Sequence, residues 1–253
     1  MRRTAGGELL EAAITAAAAG AEVLRRGFGS RLTVDGKGDD GNLVTDIDLA
    51  AERAVRSALA ARRPDDAVTG EELPDDAHRR AEVRWSIDPL DGTTNYTRGI
   101  PFFATSVGAQ DLATGEWIVG AVHAPLLDRV YFARRGGGAW VRGGGGTRRL
   151  NGPTGETSAR LLGTGLSYDP RVRAAQYAGL SELMRAFTDA RALGSAALGV
   201  CGVADGTLDG FIEDDLGEYD WAGAAVVAEE AGLVVTRPSG DRTELRVLPA
   251  ALA

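Results

Sequence analysis

Cysteine and histidine are scarce in this chain of 253 residues, which contains only Cys201, His78 and His123. A single cysteine cannot form an intramolecular disulfide, and such usage is typical of the reducing cytoplasm. One cysteine and two distant histidines are also too few for an ordinary zinc site. Any metal ion bound by this chain is therefore expected to be a hard cation with oxygen ligands.

Long apolar runs and basic clusters are also missing. No run of about 18 apolar residues occurs, which argues against a membrane-spanning helix. The alanine-rich stretch near the N-terminus contains Glu8 and Glu11, so it does not fit a secretory signal. Asp and Glu number 36 against 28 Lys and Arg, for a formal net charge of −8, and no basic cluster could follow a phosphate backbone. The sequence thus predicts neither a membrane partner nor a nucleic-acid partner.

The residues that are present indicate a mixed α/β chain with enough apolar content, 44%, to bury a sizeable core. Apolar spacing and capping residues predict helices over 7–26, 45–62, 171–187, 196–204 and 221–231. Predicted strands include 67–69, 83–87, 117–122, 130–132, 161–163 and 211–212. Residues 136–146 hold seven glycines, which predicts a flexible hinge or a hairpin tip.

The most informative segment is WSIDPLDGTTNY. Asp88 and Asp91 flank a predicted proline turn at a strand end, so both carboxylates can point into one cleft with the Leu90 carbonyl between them. Gly92 and Thr93 follow, and free N–H groups at a helix start bind phosphate oxygens. This spacing predicts a metal site beside a phosphate site. An ordinary Pro-Asp-Gly turn capped by threonine is the structural alternative.

This segment closely resembles the signature of the inositol monophosphatase family. Further segments resemble the family in its own order, and together they cover nearly the whole chain: VTDIDLAAE at 44–52, GEE at 70–72, GSAA at 194–197 and EYDWAGAAVVAEEAG at 218–232. The resemblance implies a layered αβαβα sandwich of the inositol monophosphatase and fructose-1,6-bisphosphatase type. Residues 1–145 would form an α+β region with most metal ligands, and residues 146–253 an α/β region with substrate contacts and one metal ligand.

The resemblance also implies how this site would bind metal. Oxygen atoms from three parts of the chain would hold two to three Mg²⁺ ions. The ligands would be Glu71, Asp88, the Leu90 carbonyl, Asp91 and Asp220. Taken singly, these acids have ordinary alternatives, since glutamates are common on surfaces and Asp220 could cap a helix that begins at Trp221.

Catalytic and substrate-contacting residues follow from the same resemblance. Thr93, Asp48 and Glu71 would orient the attacking water and accept its proton, while the amides of Gly92 and Thr93 would bind the phosphate. The substrate contacts would be Asp91, Ser195, Ala196 and Glu213. Lys37 matches a loop lysine that approaches the metal site in this family, with a solvated surface lysine as its alternative. For Asp48, a solvated helix face shared with Glu52 is the corresponding alternative.

The implied activity is Mg²⁺-dependent hydrolysis of a small polyol, cyclitol or sugar phosphate, similar to inositol 1-phosphate, by direct in-line attack of water. The GSAA turn, the DGTTN sequence and Glu213 favour the inositol-phosphate branch. Tyr219 stands where the family usually has Trp, and Asp214 and Asp215 add negative charge beside Glu213. Phosphatases of histidinol phosphate, fructose 1,6-bisphosphate or 3′-phosphoadenosine 5′-phosphate, or of a specialised sugar pathway, are alternatives. Such enzymes are commonly lithium-sensitive homodimers, here expected in the cytoplasm.

Two competing hypotheses belong to other classes. Asp46 and Asp48 mimic the nucleophile and acid of haloacid-dehalogenase phosphatases, which form a phospho-aspartate. Position 50 is Ala, however, where that family normally has Thr or Val, and the DPLDGT segment would have no role. A regulatory binding protein that retains the fold is the non-enzymatic hypothesis.

Overall fold

The computed structural model describes residues 2–30, 34–36, 43–76, 80–155, 159–240 and 243–253 of the chain. The predicted loop contact Lys37 lies outside the described residues. The described helices are α1 (Arg2–Gly27), α2 (Asp46–Arg62), α3 (Thr93–Thr97), α4 (Pro170–Leu183), α5 (Ala196–Asp205) and α6 (Glu218–Glu230). Among them, none combines the length and apolar character that a bilayer span requires.

The strands form a small hairpin and two larger sheets. They are β1 (Val34–Gly36), β2 (Leu43–Thr45), β3 (Ala67–Gly70), β4 (Val83–Asp91), β5 (Ala104–Asp111), β6 (Trp117–Ala124), β7 (Arg129–Arg134), β8 (Ala139–Gly143), β9 (Gly146–Leu150), β10 (Leu161–Thr164), β11 (Asp189–Arg191), β12 (Gly210–Asp214), β13 (Val234–Thr236) and β14 (Glu244–Leu248). The seven-stranded sheet has the order β3-β4-β5-β6-β7-β8-β9, and the five-stranded sheet the order β11-β10-β12-β14-β13.

Helices and sheets alternate in five layers. The alanine-rich face of α1 packs with α2 against one face of the seven-stranded sheet, and α6 packs with α5 against the other. On the five-stranded sheet, Phe211 packs with α5, while its neighbour Ile212 lies in a cluster with α4 residues. Neighbouring residues of a strand face opposite sides, so each sheet is covered on both faces. The predicted αβαβα sandwich is confirmed.

Most predicted elements are present, with shifted ends. Helix α2 has the predicted end, while α1 begins at Arg2 and α4 ends at Leu183. Helix α6 begins at Glu218, so Asp220 lies inside its first turn, where its carboxylate caps the helix by accepting the Gly217 N–H at 2.6 Å. The glycine-rich segment is a hairpin tip, because Gly143 pairs with Gly146 where β8 turns into β9. Left-handed backbone at Gly146, with φ of 100°, is the conformation that glycine tolerates best.

Candidate active site

The ends of β4 and α6 bring three carboxylates together. Asp88 and Asp91 lie at the end of β4, and Asp220 lies in the first turn of α6. Each offers one oxygen atom, and these atoms lie within 4.8 Å of one another. Asp88 is 1% exposed and Asp91 6% exposed. Two distant parts of the chain thus meet at one buried acidic cluster, and the single turn expected around Pro89 is instead a bulged strand.

The bulge explains why both β4 carboxylates reach the same cleft. Residues three apart on a regular strand point to opposite faces. Asp88 pairs with Ser106 and Asp91 with Ala104, so a step of three residues on β4 opposes a step of two on β5. This extra residue reverses the alternation and returns Asp91 to the face of Asp88. Pro89 is compatible with the bulge, because it has no N–H group to donate to the ladder.

Thr93 links the acidic cluster to α2. Its hydroxyl Oγ1 lies 3.1 Å from the Leu90 carbonyl oxygen and 3.2 Å from Asp48 Oδ1, so its single proton is shared between two acceptors. The backbone N–H of Leu90 donates to Asp88 Oδ1 at 2.9 Å. Leu90 and Thr93 both line the cleft. Asp88, Leu90 and Thr93 are therefore joined to Asp48 in one hydrogen-bond network.

Asp48 is a buried acid and not part of a solvated helix face. It is 0% exposed, and its Oδ2 accepts hydrogen bonds from the backbone N–H of Thr45, at 2.8 Å, and from the Thr45 hydroxyl. This capping interaction fixes Asp48 at the start of α2. Burial raises the pKa of the Asp48 carboxyl, although hydrogen bonds from Thr45 and Thr93 oppose the effect. Asp46 is exposed at the same helix start. Neither aspartate lines the cleft itself, but Asp48 contacts it through the hydroxyl of Thr93.

Glu52 shapes the turn that carries Glu71. Its carboxylate is 0% exposed and accepts hydrogen bonds from Arg56 Nε at 2.8 Å, from the Glu72 N–H at 2.8 Å and from the Leu73 N–H at 3.2 Å. Gly70 has no side chain to obstruct this approach, since a Cβ there would overlap the Glu52 carboxylate. Glu71 then lines the cleft beside Asp88. The solvated-face alternative is wrong for Glu52 as well.

Replacing Glu52 with Ala is expected to lower the free energy of unfolding by about 3 kcal/mol, because removing one partner of a buried ion pair leaves the other uncompensated. Among the described residues, Arg56 would keep only the Leu73 carbonyl as an acceptor, and the N–H groups of Glu72 and Leu73 would lose theirs. Urea unfolding of the metal-free protein measures the change. Glu22→Ala is the matched control, because Glu22 pairs with Arg25 and Arg26 on the exposed surface of α1 and should matter little. Equal losses in the two variants would contradict this role for Glu52.

Asp91 joins the acidic cluster to the N-terminus of α5. The backbone N–H groups of Ala196 and Ala197 donate to its carboxylate at 3.0 and 2.8 Å, and the Ser195 hydroxyl donates to it as well. Ser195 and Ala196 also line the cleft, so the structure brings these predicted substrate contacts to the site. Burial raises the pKa of Asp91 to about 6, even though these donors favour its charged form.

Glu213 and Tyr219 also line the cleft. Burial raises the pKa of Glu213 to about 8, with help from the charges of Asp91 and Asp214. Burial also raises the pKa of Tyr219, which lies near Glu71 and Asp220. Tyr168 reaches the same cleft from the loop after β10, and its hydroxyl lies 2.7 Å from Thr94 Oγ1. No sequence pattern singles out Tyr168, because Thr94 is distant in the chain.

The donor set fits a hard divalent cation. Burial raises the pKa of Asp88 well above its usual range. The negative charges of Glu71, Asp91 and Asp220 raise it further. Burial and the charges of Asp91 and Glu71 do the same for Asp220. The cleft has a volume of about 380 Å³, and none of its described lining residues is Lys, Arg or His. A cation that binds oxygen would relieve this repulsion.

Comparisons with known proteins agree with this geometry. The inositol monophosphatase family matches the chain over residues 7–252. Inositol-1-monophosphatase of Mycobacterium leprae is 40% identical over 200 residues, which is 77% of this chain and 68% of that protein. The fructose-1,6-bisphosphatase/inositol-1-monophosphatase of Aquifex aeolicus is 35% identical over 237 residues, which is 90% of this chain and 84% of that protein.

A solved structure has the same fold. The extragenic suppressor protein suhB from Bartonella henselae superposes with a TM-score of 0.84 at 29% sequence identity. The match covers 96% of this chain and 93% of that one. Sequence and fold therefore agree over nearly the full length, and the chain belongs to the inositol monophosphatase family, as an enzyme of the phosphoric monoester hydrolase class.

Proposed function

We propose that this enzyme hydrolyses the phosphate monoester of a small polyol, cyclitol or sugar, with inositol 1-phosphate as the reference substrate. The observation that carries the proposal is the convergence of Asp88, Asp91 and Asp220 within 4.8 Å, beside the turn of Gly92 and Thr93. Similarity to inositol-1-monophosphatases supports the same substrate class. Retention of this acidic cluster disfavours the alternative of a purely regulatory binding protein.

Two to three Mg²⁺ ions would be held by the predicted ligands, which are Glu71, Asp88, the Leu90 carbonyl, Asp91 and Asp220. All five residues line the cleft. When bound, Mg²⁺ neutralises phosphate charge and lowers the pKa of water. Asp91 would bind metal while its carboxylate accepts hydrogen bonds from N–H groups at the start of α5, which keep it oriented.

Thr93 and Asp48 would orient the attacking water and receive its proton, with Glu71 as a further acceptor. Thr93 lines the cleft, and its hydroxyl lies 3.2 Å from the Asp48 carboxylate. The raised pKa of Asp48 makes it a better proton acceptor than an exposed aspartate. Since water attacks directly in this proposal, no phospho-aspartate forms, and the exposed position of Asp46 agrees with that.

The phosphate would lie against the amides of Gly92 and Thr93. Gly92 has φ of 99°, a left-handed conformation that favours glycine. A Cβ at this position would also lie 3.0 Å from the Gly194 carbonyl and 3.1 Å from the Phe102 carbonyl. Gly92 thus allows the chain to turn sharply from β4 into α3 and to present its backbone to the cleft.

The charge of the cleft favours an uncharged alcohol over a second phosphate. Asp169, Asp214 and Asp215 line the cleft, and none of the described lining residues is basic. A second phosphate held away from the metal site would therefore meet negative charge without a cationic partner. This favours polyol and sugar monophosphates over fructose 1,6-bisphosphate and 3′-phosphoadenosine 5′-phosphate.

Phosphate release from a substrate panel tests this proposal. The purified enzyme is assayed with and without Mg²⁺ on inositol 1-phosphate, sugar monophosphates, histidinol phosphate, fructose 1,6-bisphosphate and 3′-phosphoadenosine 5′-phosphate. We expect Mg²⁺-dependent hydrolysis with the highest kcat/KM on a cyclitol or sugar monophosphate. A preference for a bisphosphate would contradict the proposed substrate class, and an absence of Mg²⁺-dependent hydrolysis would contradict the proposed function.

Glu213→Ala is expected to lower kcat/KM for hydroxyl-rich substrates about tenfold, which corresponds to losing one hydrogen bond to an ionisable group. The proposed reason is that Glu213, which lines the cleft, binds ring hydroxyls. Steady-state kinetics on inositol 1-phosphate measures the loss. Hydrolysis of p-nitrophenyl phosphate, whose leaving group has no such hydroxyls, should change little. Equal losses on both substrates would show that Glu213 does not select the substrate.

Further features are proposed from the family resemblance. We expect a cytoplasmic homodimer that is inhibited by lithium, with residues 1–145 carrying most metal ligands and residues 146–253 supplying Asp220 and substrate contacts. Light scattering after gel filtration tests the dimer, and phosphate release with added LiCl tests the inhibition.

A further inference from the structure

The position of Asp220 depends on how α6 packs on the seven-stranded sheet. Asp88 and Asp91 belong to β4, whereas Asp220 is carried by a helix that packs across β4, β5 and β6. A shift of this helix would move the Asp220 carboxylate relative to the other two. Two separate contacts hold the start of α6 in place, one made by glycines and one by an ion pair.

Glycines fix the distance between α6 and the sheet. Gly108 and Gly120 pair with each other across β5 and β6. A Cβ on Gly120 would overlap the Gly223 carbonyl oxygen, and one on Gly108 would lie 2.8 Å from the Gly223 nitrogen. Gly223 follows Asp220 by three residues, so both lie on the same face of the helix. The glycine contact therefore brings the face that carries Asp220 against the sheet.

The ion pair joins the first turn of α6 to β4. Arg84 Nη1 donates to Glu218 Oε1 at 2.7 Å, and Arg84 Nη2 donates to Glu218 Oε2 at 2.9 Å. Arg84 Nη2 also donates to Gln110 Oε1 at 2.7 Å, and the guanidinium lies 5.5 Å from the Trp117 ring centroid. Two parallel hydrogen bonds from a planar guanidinium fix the orientation of the carboxylate, whereas a single hydrogen bond would let it rotate.

We propose that Arg84 is a positioning residue for the metal cluster, because its bidentate pair with Glu218 fixes Asp220 relative to Asp88. Arg84 precedes Asp88 by four residues on β4, so both side chains leave the same face of the strand. Glu218 precedes Asp220 by two residues in α6. The glycine contact limits how close α6 approaches the sheet but leaves the helix free to slide and turn, and the ion pair opposes both motions. The inference rests on the proposed metal site.

Arg84→Met separates a positioning role from a purely electrostatic one, because the two change the affinity for a cation in opposite directions. Removing a positive charge near an acidic cluster would, by charge alone, tighten cation binding. Loss of positioning would weaken it. We expect the dissociation constant for Mn²⁺, measured by calorimetric titration of the metal-free protein, to rise about tenfold, the lower end of the effect of groups that support metal ligands. Mn²⁺ serves as the probe because oxygen ligands that suit Mg²⁺ also bind it.

Two further variants complete the test. Arg84→Lys keeps the charge but cannot form the bidentate pair, so it should also weaken Mn²⁺ binding. Arg135→Met is the matched control, since it removes the same charge and breaks the pair with Glu229 near the other end of α6. It should change the dissociation constant less than about twofold. Thermal unfolding of each metal-free variant verifies that the fold is retained.

The outcomes distinguish this inference from the proposed function. Mn²⁺ binding by Arg84→Met or Arg84→Lys that is as tight as in the wild type would overturn the positioning role, whatever the wild type hydrolyses. Equal weakening in Arg135→Met would also overturn it, because a general loosening of α6 would then explain the effect. If the wild type binds Mn²⁺ but releases no phosphate from the substrate panel, the proposed function fails while the titrations still decide the role of Arg84.

Discussion

Asp88→Asn is expected to reduce turnover about a thousandfold and to make the metal-free protein more stable. The carboxylate of Asp88 lies in a cluster with Asp91 and Asp220 and is buried, so its charge is costly when no cation is bound. Asparagine keeps an oxygen that can accept the hydrogen bond from the Leu90 N–H, but it removes the negative charge. A thousandfold loss corresponds to about 4 kcal/mol of transition-state stabilisation, a reasonable contribution for a metal-ion site.

Kinetics and thermal unfolding together test this prediction. kcat for inositol 1-phosphate should fall in the variant, its melting temperature in EDTA should exceed that of the wild type, and added Mg²⁺ should stabilise it less than the wild type. Ser86→Ala, on the same face of β4, is the control, because its hydroxyl has no hydrogen-bond partner among the described residues and it does not line the cleft. Wild-type turnover in Asp88→Asn would refute the proposed site. A metal-free variant less stable than the metal-free wild type would refute the repulsion among the three carboxylates.

Removal of Mg²⁺ is expected to abolish turnover and to make stability fall as the pH rises from about 4 through about 6. The pKa of Asp91 is raised to about 6 in the folded protein, and burial with neighbouring charges also raises those of Asp88 and Asp220. The unfolded chain has aspartate pKa values of about 4. The folded state therefore binds more protons, and its stability decreases as the pH passes from the unfolded values through the folded ones.

Bound Mg²⁺ should reverse this trend, because it favours the charged form of its carboxylate ligands. The increase in melting temperature on adding Mg²⁺ should therefore grow between pH 5 and pH 8. Differential scanning calorimetry at several pH values, in EDTA and in excess Mg²⁺, measures this increment. Other titrating groups affect the melting temperature equally in EDTA and in Mg²⁺, so their contributions largely cancel in this increment. An increment that is constant or that shrinks with pH would contradict the mutual repulsion of the cluster.

The sequence predicted the acids of the cluster but not the way in which the backbone brings them together. The spacing of Asp88 and Asp91 indicated a turn at Pro89, whereas the structure has a bulged strand. A bulge depends on the register with β5, which local sequence does not specify. Burial of Glu52 was missed for a related reason. On α2 it resembles an exposed acid paired with Arg56, and the N–H groups that complete its burial come from the distant turn after Gly70.

Short and edge elements were the hardest to predict. The three-residue strands β11 and β13 lie at the two edges of the five-stranded sheet and have no alternating pattern long enough to detect. Long periodic elements such as α2 were predicted with nearly correct bounds, because their apolar faces repeat over several turns. The contact of Arg84 with Glu218 joins positions 134 residues apart, so it is visible only in the folded chain.

Anomalous diffraction from crystals soaked in Mn²⁺ locates bound metal independently of any substrate. We expect an anomalous peak between the carboxylates of Asp88, Asp91 and Asp220, and the loss of that peak in Asp88→Asn crystals. Metal bound only elsewhere, on a protein that hydrolyses phosphate monoesters with Mg²⁺, would show that this acidic cluster is not the metal site.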